Sequence, residues 1–117
     1  MKRHKILVVD DEEGIRDMCK RALEWAGYLV DVCQNAQEAL ELLDKEEDYE
    51  LVLTDLNLPG LNGLELISEV KEKYPRCKTL LMTGTLPGHN IDTRDYLRKP
   101  FGLTELVLKI KQCLSSP

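Results

Sequence analysis

The stretch from Leu51 to Gly63 most constrains the fold, because it joins an apolar run to a carboxylate and then to turn residues. Its first residues have the length and apolar character of a buried parallel strand. Asp55 stands where this strand should end, Pro59-Gly60 breaks the chain, and Asn62 is suited to cap the next helix. Ligands bind outside the carboxyl ends of strands in open α/β sheets, so the pattern places Asp55 at a candidate site.

The composition is that of a globular protein and excludes several other classes. The 117 residues are expected to form one domain, residues 1–117. With 16 basic and 21 acidic side chains the net charge is −5, which argues against direct nucleic-acid binding. No apolar run approaches membrane-spanning length, and we expect a cytoplasmic protein. The four cysteines form no Cys-x-x-Cys pair and are predicted to be small core residues: Cys19, Cys33, Cys77 and Cys113.

Apolar runs alternate with stretches of helical spacing along the whole chain. The predicted strands are 5–9, 28–33, the run that begins at Leu51, 79–82 and 95–98; the predicted helices are 13–26, 36–45, 64–74 and 103–114. This alternation is typical of a doubly wound parallel α/β sheet. Trp25 lies at the edge of the first helical stripe, and we expect it to cover the rim of the core; a partner anchor is the alternative.

Polar residues stand at the carboxyl ends of the predicted strands. They are Asp10, Asp11, Asp55, Thr83 and Lys99. Two carboxylates ~4 Å apart repel by about 4 kcal/mol at an effective dielectric of 20, so a fold that gathers three needs a counter-charge. A divalent cation together with Lys99 supplies it, and oxygen ligands without a His/Cys cluster favour Mg²⁺ over Zn²⁺.

A carboxylate beside Mg²⁺ and a lysine is suited to nucleophilic attack on phosphorus. The product is an aspartyl phosphate, and the cations neutralise charge on the phosphoryl oxygens in the transition state. The Thr83 hydroxyl can bind a phosphoryl oxygen only after transfer. This contact would be present in the phosphorylated state and absent in the unphosphorylated state, so it can work as a switch.

Four segments carry a resemblance to a known family. They are 6–12 (ILVVDDE), 53–63 (LTDLNLPGLNG), 81–84 (LMTG) and 96–101 (YLRKPF). In this order and spacing the chain resembles, over its whole length, the receiver domain of two-component response regulators. The resemblance implies a flavodoxin-like five-stranded parallel sheet of order 2-1-3-4-5, with helices on both faces.

The resemblance also implies a metal site and a phosphoacceptor. Asp55 would accept the phosphoryl group from a sensor histidine kinase or a phosphotransfer protein. Asp11 and Asp55 would ligate Mg²⁺ directly, Asp10 would act through water, and Asn57 would contribute its backbone carbonyl.

The remaining implied roles concern the response to phosphorylation. Lys99 would pair with the phosphoryl group, and the Lys99-Pro100 peptide bond would be cis. Thr83 and Tyr96 would form the switch, with the hydroxyl moving toward the phosphate and the ring turning inward. An effector domain or a homodimer would carry the output.

One departure from the family pattern lies between the fourth and fifth strands. Only 15 residues separate Thr83 from Lys99, and Pro87-Gly88 falls among them. We therefore predict that the helix at this place, the fourth in the family, is reduced to about a turn or missing.

Two alternatives to a phosphorylated signalling module stay open at this point. The shortened segment motivates a receiver fold that serves as an interaction scaffold without phosphotransfer. A Mg²⁺-dependent phosphatase or nucleotide-binding domain is disfavoured, because no Gly-rich phosphate loop follows the first strand. The leading prediction is a signalling domain that catalyses only its own phosphorylation and dephosphorylation.

Overall fold

A computed structural model describes residues 3–46, 48–84 and 96–115 of the chain. These residues form five β-strands and four α-helices, numbered here in chain order. They are β1 (Lys5–Val9), α1 (Glu13–Trp25), β2 (Leu29–Cys33), α2 (Ala36–Lys45), β3 (Leu51–Asp55), α3 (Gly63–Lys73), β4 (Lys78–Thr83), β5 (Tyr96–Arg98) and α4 (Leu103–Ser115). The predicted elements are confirmed with shifts of one or two residues at their ends, where local pattern is least informative.

All five strands are parallel, in the order β2-β1-β3-β4-β5. The fold class and the strand order implied by the resemblance are therefore confirmed. The predicted reduction of the helix between β4 and β5 falls within residues 85–95, which lie outside the described residues.

Each face of the sheet carries its own core. One core joins α1 and α4 to the sheet through residues such as Leu23, Leu53 and Ile110. The other joins α2 and α3 to it through residues such as Leu43 and Leu66. Strands buried on both faces read as continuous apolar runs, which explains why the runs were recognisable in the sequence.

The cysteines are free thiols, and three of them are buried. Burial raises the pKa of the Cys19 and Cys33 thiols to about 12, so both remain protonated at neutral pH. They serve as small core residues, as predicted, and the fourth, Cys113, is half-buried.

Trp25 does not cover the rim of the core. Its side chain is 91% exposed, so the expectation of a rim residue is wrong. Trp25 is the last residue of α1, the C-cap Ala26 and Gly27 with φ +104° follow it, and the indole lies in solvent. Within residues 3–46, 48–84 and 96–115, no helix has the length and apolarity needed to cross a membrane.

Candidate functional site

The candidate site lies at the carboxyl edge of the sheet, where strand register brings distant residues together. β1 and β3 are neighbours, and Val9 aligns with Thr54. The next residue on each strand is an aspartate, so Asp10 and Asp55 stand side by side although 44 residues separate them in the sequence. Parallel strands end at a common edge, and for this reason the polar residues converge.

Three carboxylates meet at this edge. Asp10, Asp11 and Asp55 each offer an oxygen, and these oxygens lie within 4.8 Å of one another. Asp10 and Asp55 are buried, whereas Asp11 is exposed. Asp10 and Asp55 therefore form the buried part of the carboxylate cluster, and Asp11 forms the part that faces solvent.

Both oxygens of Asp10 already have protein partners. The backbone N–H of Glu12 donates to its Oδ1 at 2.8 Å, and Lys99 Nζ donates to its Oδ2 at 2.9 Å. The first bond shapes the turn that leads from β1 into α1 and presents Asp11. A fully buried carboxylate requires such partners, because an unpaired buried charge is strongly disfavoured.

Lys99 bridges the two buried carboxylates. Its Nζ lies 2.9 Å from Asp10 Oδ2 and 3.3 Å from Asp55 Oδ1. Burial acts to lower the pKa of the Lys99 ammonium, but its hydrogen bond to Asp10 and the charges of both aspartates outweigh this effect, and the net pKa is raised. Lys99 is therefore a fixed cation at neutral pH.

Asp55 has a raised pKa in this arrangement. Burial is the main cause, and the charge of Asp10 adds to it, while the Lys99 ammonium opposes both. The cluster thus retains an excess of negative charge that one lysine does not compensate. That excess, with hard oxygen donors close together, fits a divalent cation such as Mg²⁺.

The backbone around β4 and β5 sets the position of the lysine. Thr83 is fully buried at the end of β4, and its carbonyl accepts the backbone N–H of Lys99 at 2.8 Å. The Lys99-Pro100 peptide bond is cis, as the resemblance implied.

Tyr96 begins β5, where it pairs in register with Leu81, and its side chain is partly exposed. Asn57 is exposed in the loop after β3.

Gly63 lies against the end of β3, a close approach that the sequence pattern did not reveal. A Cβ added at Gly63 would lie 2.2 Å from the Asp55 carbonyl oxygen, and the Gly63 N–H donates to the Leu56 carbonyl at 2.8 Å. Asn62 caps the helix as predicted, in a complete capping box with Glu65. Glycine is disfavoured inside a helix, so a glycine at this position can indicate that another backbone segment approaches closely.

Arg16 is a second contributor that the sequence reasoning missed. Its Nη1 donates to the backbone carbonyl of Asp10 at 2.8 Å. The bond ties the first turn of α1 to the residue that follows β1. A basic residue on the exposed side of a predicted helix gives no sign of such a contact.

Comparisons with known proteins agree with this geometry. The sequence profile of the response regulator receiver domain matches residues 6–111. The chain is 36% identical over 120 residues to the uncharacterized transcriptional regulatory protein YkoG of Bacillus subtilis, covering 97% of this chain and 52% of YkoG. It is 36% identical over 115 residues to the transcriptional regulatory protein ResD of the same organism, covering 94% of this chain and 48% of ResD. The chain therefore spans about half the length of these curated relatives.

A solved structure shows the same architecture. The chemotaxis response regulator CheY4 of Vibrio cholerae superposes with a TM-score of 0.87 at 27% identity, and the match covers 96% of this chain and 99% of CheY4.

Proposed function

The chain belongs to the response regulator receiver domain family, and on this premise we propose that it accepts a phosphoryl group on Asp55 from a phosphohistidine donor. The donor would be a sensor histidine kinase or a phosphotransfer protein. One observation carries the proposal: the half-buried Lys99 ammonium contacts the buried Asp10 and Asp55 carboxylates, and the exposed carboxylate of Asp11 lies within 4.8 Å of both aspartates.

Asp55 would act as the nucleophile. A carboxylate oxygen attacks the donor phosphorus, an oxygen–phosphorus bond forms, and the phosphorus–nitrogen bond breaks with its electron pair returning to the imidazole. Lys99 Nζ lies 3.3 Å from Asp55 Oδ1. Its ammonium can therefore stabilise the negative charge on the phosphoryl oxygens while it stays hydrogen-bonded to Asp10. Its raised pKa keeps it protonated for this purpose.

The residues at the edge of the sheet fit a Mg²⁺ ion. Asp11 and Asp55 would bind it directly, Asp10 through water, and Asn57 through its backbone carbonyl. Asp10 suits the indirect role, because Glu12 and Lys99 already occupy its two oxygens. When bound, Mg²⁺ supplies positive charge beside the phosphoryl oxygens.

Thr83 and Tyr96 would change conformation in response to phosphorylation. The Thr83 hydroxyl would move to a phosphoryl oxygen, and the Tyr96 ring would turn into the space that it leaves. The backbone bond between Thr83 and Lys99 supports this coupling, since it links the end of β4 directly to the residue that pairs with the phosphoryl group. The family is one of signalling domains, and an effector domain or a homodimer would carry the output.

Incubation with Mg²⁺ and acetyl phosphate tests the proposal. We expect intact-mass spectrometry to show the addition of one phosphoryl group, lost at alkaline pH, in the wild-type protein and not in Asp55→Asn. The variant Asp11→Asn should react far more slowly, and excess EDTA should abolish the reaction. No mass gain, or a gain that persists in Asp55→Asn, would refute the proposal and favour the scaffold alternative.

A further inference from the structure

Arg16 of α1 reaches back to the aspartate that follows β1. Its backbone N–H donates to the Glu12 carbonyl at 3.1 Å, so the residue belongs to the first turn of the helix. Its side chain returns to the edge of the sheet, where Nη1 donates to the backbone carbonyl of Asp10 at 2.8 Å. The side chain is half-buried, so this hydrogen bond is partly shielded from water.

Asp10 has a partner for each of its polar groups. Its backbone N–H donates to the carbonyl of Cys33, at the end of β2, at 3.1 Å. Its carboxylate accepts the two hydrogen bonds described above, and its backbone carbonyl accepts from Arg16. That carbonyl belongs to the peptide unit between Asp10 and Asp11, so Arg16 holds the side of Asp10 that leads to the next aspartate.

Asp11 depends on this peptide unit for its position. Its side chain is exposed, and within the part of the chain that the structure describes its carboxylate has no hydrogen-bond or ion-pair partner. A peptide unit is planar, so the direction of the Asp10 carbonyl also sets the direction of the Asp11 N–H and the place of the Asp11 Cα. A donor that holds the carbonyl therefore limits where the Asp11 carboxylate can point.

We propose that Arg16 is a positioning residue for the Mg²⁺ site, because its bond to the Asp10 carbonyl fixes the direction in which Asp11 presents its carboxylate to the ion. The inference rests on the proposed function, in which Asp11 is a direct ligand of Mg²⁺. In this role Arg16 contacts neither the ion nor the phosphoryl group. Groups that orient metal ligands typically contribute about ten- to a hundredfold in metal affinity.

The charge of Arg16 predicts the opposite effect on Mg²⁺ binding, so the two effects can be told apart. A guanidinium repels Mg²⁺ at any distance, and its removal can only strengthen metal binding through charge. Loss of the hydrogen bond instead leaves Asp11 less ordered, and the ion must then order a ligand that the wild-type protein already holds in place. A weaker affinity for Mg²⁺ after removal of Arg16 is therefore the sign of a positioning role.

Isothermal titration calorimetry of Mg²⁺ binding tests the proposal without any phosphoryl transfer. We expect Arg16→Met, which keeps a long side chain but has no donor, to raise the Kd of Mg²⁺ by roughly tenfold. Arg16→Lys retains a charged donor and should return the Kd to within about threefold of the wild-type value. Arg21→Met is the matched control, because it removes the same charge from an exposed position of α1, and it should not raise the Kd.

A double-mutant cycle tests whether Arg16 acts through Asp11. Asp11→Asn removes the charge that Arg16 orients, so in the Asp11→Asn background Arg16→Met should change the Kd of Mg²⁺ by less than about twofold. Urea unfolding without Mg²⁺ verifies the fold of each variant. Arg16→Ala also lacks a donor, and it replaces Arg16→Met in the cycle if that variant does not fold.

The rate of phosphorylation by acetyl phosphate gives a second readout. We expect Arg16→Met to raise the Mg²⁺ concentration for the half-maximal rate by roughly tenfold, while the rate at saturating Mg²⁺ stays within about threefold of the wild-type rate. A purely structural role would lower the rate at saturating Mg²⁺ and leave the half-maximal concentration unchanged.

The positioning role is overturned if Arg16→Met binds Mg²⁺ as tightly as the wild-type protein or more tightly, or if Arg21→Met weakens binding equally. It is also overturned if Arg16→Lys is no better than Arg16→Met, if the losses of Arg16→Met and Asp11→Asn simply add, or if the wild-type protein binds no Mg²⁺. Failure of the proposed function gives a different result. A wild-type protein that binds Mg²⁺ but gains no phosphoryl group refutes phosphotransfer, whereas the calorimetric comparison still decides the role of Arg16.

Discussion

Gly63→Ala tests whether the loop after β3 positions Asp55. The added Cβ would lie 2.2 Å from the Asp55 carbonyl oxygen, and 2.9 Å from both the Asp55 carbonyl carbon and the Leu56 Cα. All three are backbone atoms, two of Asp55 at the buried end of the central strand β3 and one of Leu56 directly after it, so no flexible side chain can move aside.

The size of the effect follows from these distances. Ordinary contact begins at 3.4 Å, so the chain must open by about 1 Å between Gly63 and Asp55. Overpacking at a rigid site costs typically 1–3 kcal/mol, and here the 2.8 Å bond from the Gly63 N–H to the Leu56 carbonyl is strained too. We expect the free energy of unfolding to fall by about 3 kcal/mol and Tm by about 10 °C.

The same displacement should slow phosphorylation more than instability explains. Misplacing a reacting group by ~1 Å can cost about a hundredfold in rate. The assay is the rate of phosphoryl incorporation from acetyl phosphate, measured well below the Tm of the variant, beside urea unfolding of the same protein. Gly14→Ala is the matched control, because its Cβ meets nothing within 4 Å and alanine is favoured over glycine in a helix.

Two results would refute this reasoning. A Gly63→Ala protein as stable as the wild type would show that the contact is relieved without cost. A less stable protein that is phosphorylated at the wild-type rate would show that the loop supports the fold but does not position Asp55.

Four further perturbations have defined outcomes. Because burial raises the pKa of Asp55, the native state binds the Asp55 proton more tightly than the unfolded chain does. This protonation stabilises the native state fully below about pH 4, and the stabilisation is lost as the pH rises through the native pKa of Asp55. Asp55→Asn should therefore unfold at higher urea than the wild type at pH 7, with the difference closing in acid; an equal difference at both pH values would contradict this. Lys99→Met should lower the free energy of unfolding at pH 7 by about 3 kcal/mol, since it leaves the fully buried Asp10 carboxylate unpaired, whereas a loss below about 1 kcal/mol would indicate a mere surface pair. Mg²⁺ at about 100 times its dissociation constant should stabilise the protein by about 2.7 kcal/mol in a thermal-shift titration, and Asp11→Asn should remove most of that shift at the same Mg²⁺ concentration. Asn62→Ala should cost about 1 kcal/mol in urea unfolding through loss of the capping box, and an unchanged midpoint would count against the cap.

The pattern of the site was readable from the sequence, because its parts are local. Each strand is an apolar run, and a polar residue follows it, so Asp10, Asp55 and Thr83 could be assigned to strand ends before the fold was known. The prediction that the strands share one edge required only that they be parallel. The distances at which Lys99 meets the two aspartates were not predictable, because they depend on backbone bonds across β4 and β5.

Trp25 and Gly63 show where local pattern was insufficient. The apolar character of Trp25 suggested burial, but burial depends on what packs against that end of α1, and in the structure nothing from its own chain covers the indole within the described residues. The sequence places Gly63 between the Asn62 cap and the predicted helix, and its contact with the Asp55 backbone arises only when α3 packs on β3.

The element types, the caps and the chemistry at the strand ends follow from local sequence, because hydrophobic period and turn residues act over a few neighbouring positions. Which of those residues touch depends on the packing of distant parts of the chain. Val9 and Thr54 had to align before Asp10 could stand beside Asp55, and that alignment depends on packing the whole sheet between its helices.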